Sequence, residues 1–130
     1  MIVLDSTALI DLFNNDSDLR VLLERTDDEI ATTMMNVQEI YAGLCDRVKN
    51  RNKETLFFSR LFDKLHVLPM SKHTVEGALK IHKTLSAKGI TIGFADCIIV
   101  ATLREHDLRL LVTRNVKHFE HVENLVLVTY

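Results

Sequence analysis

Hydrophobic residues along this chain follow two rhythms, short continuous runs and a spacing of three or four, and their alternation predicts strands separated by helices. Ile2, Val3 and Leu4 form an uninterrupted apolar run that stops at Asp5. Such a run marks a strand buried on both faces, as inner strands of a parallel sheet are. Ala8, Leu9, Leu12 and Phe13 then take up helical spacing, with Ser6 or Thr7 placed to cap the helix. A turn over residues 14–18 leads into a short helix from Leu19 to about Arg25. Residues 29–32 predict a second strand, and a helix beginning between Thr33 and Asn36 runs to Cys45 on a stripe of Val37, Ile40, Tyr41 and Leu44. Glu39 lies off that stripe, on the side of Met35, Ala42 and Gly43.

Residues 46–54 are the most polar segment, and they lead into an amphipathic helix carrying Phe57, Phe58, Leu61, Phe62 and Leu65, so a helical hairpin is expected here. Two adjacent phenylalanines cannot share one narrow stripe, so part of that helix is expected to face another chain. Residues 66–68 read as a short strand closed by Pro69. A helix over 72–88, on Val75, Ala78, Leu79, His82 and Leu85, stops at Gly89. A helix over 94–105, a strand over 110–113, a helical turn over 116–121 and a strand over 125–130 complete the chain. Strands alternating with helices predict the α/β class, a parallel sheet with helices on both faces.

At 130 residues and 47% hydrophobic, the chain predicts a single domain over 1–130 with a core of its own. A net charge of -2 excludes a uniformly basic coat for nucleic acid, so any such contact must be local. Cys45 and Cys97 have no metal-ligand spacing and read as reduced thiols of a cytoplasmic protein. No apolar run approaches the ~18 residues of a membrane span, and the early acids Asp5 and Asp11 argue against a signal peptide.

Among 18 acids, three sit in apolar surroundings: Asp5 at the end of a buried strand, Glu39 among small and apolar neighbours, and Asp96 in the first turn of a helix whose face is Ile99, Val100 and Leu103. A buried carboxylate needs a partner, and no lysine or arginine adjoins any of the three in sequence. A divalent cation meets that need. Carboxylate oxygens without clustered histidine or cysteine point to a hard ion, Mg²⁺ or Mn²⁺, and to metal-activated water attacking a phosphodiester. Each acid also has a structural role open to it: Asp5 can begin a turn, Asp96 can cap a helix, and Glu39 can be half exposed. Spacing alone does not bring them together.

Four segments in order, IVLDSTALID, NVQEIYAGL, FADCIIVATLREHDL and LLVTRNVKHFE, resemble those of PIN-domain proteins of the VapC type, the toxin half of a toxin–antitoxin pair. The resemblance spans essentially the whole chain. It implies a PIN-like three-layer α/β/α sandwich on a central parallel sheet and a Mg²⁺-dependent endoribonuclease acting on RNA. Its metal-site acids fall on Asp5, Glu39 and Asp96, and its fourth acidic position falls on Asn115. An amide there offers one oxygen and no charge, so one firmly bound Mg²⁺ and at best a weak second are expected. Thr113 resembles the hydroxyl that orients the metal's water or a neighbouring acid; Ser6 either does likewise or caps the helix. Arg114, Lys117 and His118 flank Asn115 and are placed to hold phosphate oxygens. His118 has packing beside Phe119 as its alternative. The basic run Arg47, Lys49, Arg51 and Lys53 reads as a solvated connector in preference to an RNA track. The resemblance also implies a homodimer and an antitoxin laid across the Phe57 to Leu65 region.

Other classes fare worse. A receiver-like phosphoacceptor domain wants adjacent acids after its first strand and a lysine after its last, and neither is present. The stretch after Lys88 lacks the glycine fingerprint of dinucleotide binding. A structure-specific DNA nuclease would need added elements to grip a duplex. The alternative that stays open is a PIN-fold module, weak or inactive in catalysis, that binds RNA or a partner.

Overall fold

The apolar run at the N-terminus becomes β1 (Ile2–Leu4), the middle strand of a five-stranded sheet in the order β3-β2-β1-β4-β5. Its companions are β2 (Ile30–Thr33), β3 (His66–Leu68), β4 (Leu110–Val112) and β5 (Val126–Val128), every pairing parallel. The computed structural model describes residues 1–45 and 51–130. Between the strands run α1 (Ser6–Phe13), α2 (Ser17–Arg25), α3 (Met34–Cys45), α4 (Arg51–Lys64), α5 (Lys72–Ala87), α6 (Phe94–Glu105) and the single turn α7 (Val116–Phe119).

Side-chain alternation along β1 divides the core in two. Val3 points with Ala31 and Leu111 into a cluster closed by α5 and α6, through Ala78, Ile81, Leu85 and Ile99, and by Phe119 of α7. Ile2 and Leu4 point the other way with Val112, against Ala8 and Leu9 of α1, Leu19 of α2, Ile40 and Leu44 of α3 and Phe58 of α4. This is the three-layer sandwich expected of the sequence. The strand order reverses between β1 and β4, where Val3 pairs Leu111 and Leu4 pairs Val112, so the residues following both strands open onto one crevice.

Caps account for most shifts in element ends. Asp5, extended at φ -84° and ψ -178°, is itself the N-cap of α1 and accepts from Ala8 N, so neither Ser6 nor Thr7 holds that role. Asp16 accepts from the backbone of Asp18 and Leu19 at 3.0 Å each and starts α2 two residues before Leu19. Ser71 and Thr74 form a reciprocal capping box at the start of α5. Gly89 ends that region at φ 76°, a left-handed conformation that glycine adopts without strain.

Two apolar faces differ from expectation. On α5 the buried stripe is Thr74, Ala78, Ile81 and Leu85, while Val75 and Leu79 are exposed. Thr74 turns inward because its hydroxyl donates to Glu105 of α6 at 2.9 Å. On α4 both adjacent phenylalanines reach Phe13 of α1, with ring centroids at 5.1 Å for Phe57 and 5.8 Å for Phe58, and the exposed apolar residue is Leu56. Residues 46–50, with Arg47 and Lys49 of the basic run, lie outside the described residues.

The α5 assignment has a direct test. Leu85→Ala is expected to cost about 2–5 kcal/mol, the range for truncating a packed leucine. Leu79→Ala, at a position 44% exposed, should stay within about 0.5 kcal/mol. Urea denaturation of both variants measures the difference, and equal losses would contradict this orientation of the helix.

Candidate metal centre

Asp5 leaves β1 with its backbone N–H on Val112 O and its side chain buried, 4% exposed. Both carboxylate oxygens meet neutral donors. Oδ1 accepts from Ala8 N at 3.0 Å and Thr7 Oγ1 at 2.6 Å, and Oδ2 accepts from the Thr113 hydroxyl. Thr113, fully buried just past β4, also accepts from Asn115 N at 2.9 Å. The ends of β1 and β4 are thereby fastened to each other through the acid.

Glu39 projects from α3 toward the same opening. Its Oε2 accepts from the Ser6 hydroxyl and from Asn36 Nδ2 at 3.2 Å. Asn36, one turn earlier on α3, is fully buried; its Nδ2 also donates to Ser6 Oγ at 3.0 Å, and its Oδ1 accepts from Thr33 Oγ1 at 2.7 Å. Asn36 was not legible as a site residue, although its spacing of three from Glu39 on one helix was the available signal. Ser6 joins this network.

Asp96, in the first turn of α6, faces His118 of α7, whose Nδ1 lies 3.1 Å from Asp96 Oδ2. Burial pushes the Asp96 carboxyl above the ordinary aspartate range; His118 pulls it down by charge and hydrogen bond, and the charges of Glu39 and Asp5 push it up again. The charges of Glu39 and Asp5 therefore reach Asp96 across a shared cleft.

That cleft, about 420 Å³, is lined by Asp5, Ser6, Thr7, Asn36, Glu39, Asp96, Asn115 and His118 over an apolar floor that includes Ile99. No lysine or arginine lines it, and among the described residues Glu39 Oε1 and Asp96 Oδ1 have no hydrogen-bond partner. Carboxylate, hydroxyl and amide oxygens are the donor set of a hard cation, so the residues fit Mg²⁺ or Mn²⁺ in kind. They are not drawn in around one point: among the described residues no three His, Cys, Asp or Glu side chains form a ready ligand cluster.

The basic residues expected to hold phosphate stand at different distances from the cleft. The Arg114 guanidinium does not line the cleft; it is held by Asp11 at 2.6 Å and Asp16 at 2.7 Å. Lys117 is exposed and also off the cleft lining, and only His118 of the flanking set reaches it. Cys45 and Cys97 are both free thiols, the second buried.

A parallel sheet with acids at its point of reversal defines a class. The chain matches the PIN domain family over residues 2–125 and belongs to it. Among solved structures it is similar to a chain of VapBC2 from Rickettsia felis bound to a DNA fragment from their promoter, with a TM-score of 0.86 and 22% identity over 100% of this chain and 99% of that one. A chain of DNA-bound VapBC from Salmonella typhimurium gives 0.84 and 17% identity, covering 99% of this chain and 98% of that one. VapC20 of Mycobacterium tuberculosis, a sarcin–ricin loop cleaving toxin, gives 0.66 and 16% identity over 85% and 87%. At these identities the likeness is one of fold. No curated protein matches the chain in sequence.

The burial of Asp96, with a smaller part from the charges of Glu39 and Asp5, yields a pH dependence. Because the folded chain holds the Asp96 proton to higher pH than the unfolded chain does, stability falls as pH rises from the ordinary aspartate value through the raised one. Without divalent cations, Asp96→Asn is expected to melt above the parent protein at pH 7, and the two midpoints should converge on acidification through that window. Scanning calorimetry measures both, and an asparagine variant less stable at pH 7 would contradict a raised Asp96 carboxyl.

Proposed function

We propose that the chain is a metal-dependent endoribonuclease, the toxin member of a toxin–antitoxin pair. The observation that carries this reading is the cleft itself: Asp5, Glu39 and Asp96 line it together, with no lysine or arginine among them. In this reading Asp5, Glu39 and Asp96 hold one Mg²⁺, with Asn115 as a neutral fourth donor. The bound ion supplies activated water and charge stabilisation for phosphodiester hydrolysis. Thr113 and Thr7 keep Asp5 oriented toward the cleft, and Ser6 and Asn36 do so for Glu39. His118 Nδ1 restrains Asp96.

Structural relatives described as toxin–antitoxin complexes support a protein partner. A groove of about 360 Å³ on α4, lined by Lys53, Leu56, Phe57, Arg60, Leu61 and Lys64, offers an apolar floor with a basic rim. An antitoxin segment carrying apolar and acidic residues suits it. A homodimer, which the family resemblance implies, has Val75, Leu79 and Phe94 as exposed apolar residues to bury. The second reading, a binding module without catalysis, draws on the neutral Asn115.

RNA cleavage separates the two. The protein should cut RNA in Mg²⁺, stop with EDTA, and lose at least about 100-fold of its rate in Asp5→Asn, given that cation stabilisation is worth several kcal/mol. Retained cleavage in Asp5→Asn would overturn the site; no cleavage by the parent protein would favour the binding module. Titration calorimetry should find one tight Mg²⁺ site, and two ions of equal affinity would contradict the role given to Asn115.

A further inference from the structure

Arg114 is the best-partnered cation of the described residues, and none of the partners of its guanidinium belongs to the acid cleft. Its Nε lies 2.6 Å from Asp11 Oδ2 and its Nη2 lies 2.7 Å from Asp16 Oδ2. The guanidinium carbon stands 5.4 Å from the centre of the Tyr130 ring, and the Tyr130 hydroxyl donates to Asp11. Burial and the Asp11 acceptor push the Tyr130 hydroxyl far above its ordinary range, so it stays a neutral donor. One guanidinium thus joins α1 through Asp11, the cap of α2 through Asp16, and the ring of Tyr130. Its planar fork suits this task, since its N–H groups are held in fixed directions whereas those of a lysine ammonium rotate on a flexible stem.

The main chain at the same residue runs the other way. Arg114 N donates to Thr7 Oγ1 at 3.0 Å, and that hydroxyl donates to Asp5 Oδ1 at 2.6 Å. On one side Thr113 donates to Asp5 Oδ2, and on the other Asn115 N donates to Thr113 Oγ1 at 2.9 Å. Residues 113–115 are therefore clamped between an ion-pair cluster on the outer side of α1 and the carboxylate of Asp5. Arg114 is half exposed while Asp11 is mostly covered, so removing the cation would strand Asp11 beside Tyr130 and release the segment.

We infer that Arg114 is a positioning residue: by pairing with Asp11 and Asp16 it fixes the segment bearing Thr113 and Asn115, and so sets the acid cleft without itself touching RNA. This rests on the nuclease reading for its kinetic consequence, but not for its structural one. A phosphate-binding arginine would govern how tightly RNA binds. A positioning arginine governs the rate once RNA is bound.

The test uses the full chain, with Arg114→Ala, Arg114→Lys, Asp11→Asn and the double variant Arg114→Ala/Asp11→Asn. Initial rates in Mg²⁺ are measured against the concentration of total bacterial RNA, and the backbone amide resonances of Thr113 and Asn115 are followed by NMR without metal. Arg114→Ala and Asp11→Asn should each lower kcat by about 10- to 100-fold, the effect of a small misplacement, with KM nearly unchanged. The double variant should be no worse than the poorer single one, because both break the same link. Arg114→Lys should restore less than half of the lost rate. Both single variants should shift the two amide resonances, and Asp11→Asn carries the comparison alone if Arg114→Ala does not fold. A raised KM with kcat intact in Arg114→Ala, or full activity in Asp11→Asn, would overturn the inference. Absence of RNA cleavage by the parent protein would defeat the nuclease reading alone; unmoved Thr113 and Asn115 resonances would defeat the positioning role whether or not RNA is cut.

Discussion

A carboxylate at the end of a buried strand, with no lysine or arginine beside it, is the constraint to which the rest of this fold answers. Asp5 is 4% exposed, and its oxygens are met by a backbone amide and two threonine hydroxyls. Neutral donors lower the cost of burying the charge without cancelling it. The remaining negative potential is directed at the cleft, where Glu39 and Asp96 add to it. Burial, with the charges of Glu39 and Asp5 beside it, holds the Asp96 carboxyl above its ordinary range, and a cation relieves such an arrangement; this is the physical content of the metal site proposed for the chain.

The sheet makes that concentration of charge possible. Because the strand order reverses between β1 and β4, no crossover covers the crevice beyond their ends. Asp5 and Thr113 meet there across the β1 and β4 pairing. The layers on either side contribute one acid each, Glu39 from α3 and Asp96 from α6. Each acid is steadied by a different polar group: Asn36 and Ser6 for Glu39, His118 for Asp96, and the threonines for Asp5. The Arg114 cluster extends this outward, tying the segment after β4 to α1, to α2 and to Tyr130.

Much of this was legible along the chain, for identifiable reasons. A continuous apolar run ended by an acid marked β1, because burial on both faces leaves little room for polar residues there, and apolar residues at a spacing of three or four marked the helices to within a few residues. Asp5, Glu39 and Asp96 stood out as acids in apolar company, and all three line the cleft. What stayed hidden depends on contacts between distant segments. Thr74 displaces Val75 and Leu79 from the core of α5 only because Glu105 of α6 waits for its hydroxyl. Asn36 reads as an ordinary helix-start residue until Ser6 and Glu39 are brought beside it. Arg114 reads as a phosphate contact from its neighbours in sequence, whereas Asp11, Asp16 and Tyr130 claim it in space. Resemblance to a family pointed to Asn115 and Thr113, which periodicity alone had not singled out.

The central claim, that Asp5, Glu39 and Asp96 together hold a hard cation, is open to one direct measurement. Crystals of the protein grown with Mn²⁺ would give an anomalous difference map that locates the ion independently of any activity. A single strong peak is expected in the cleft within coordinating distance of all three carboxylates, at roughly the 2.0–2.2 Å of first-row cation to oxygen contacts. A cleft without an anomalous peak at saturating Mn²⁺, or an ion bound without Asp5, would contradict it.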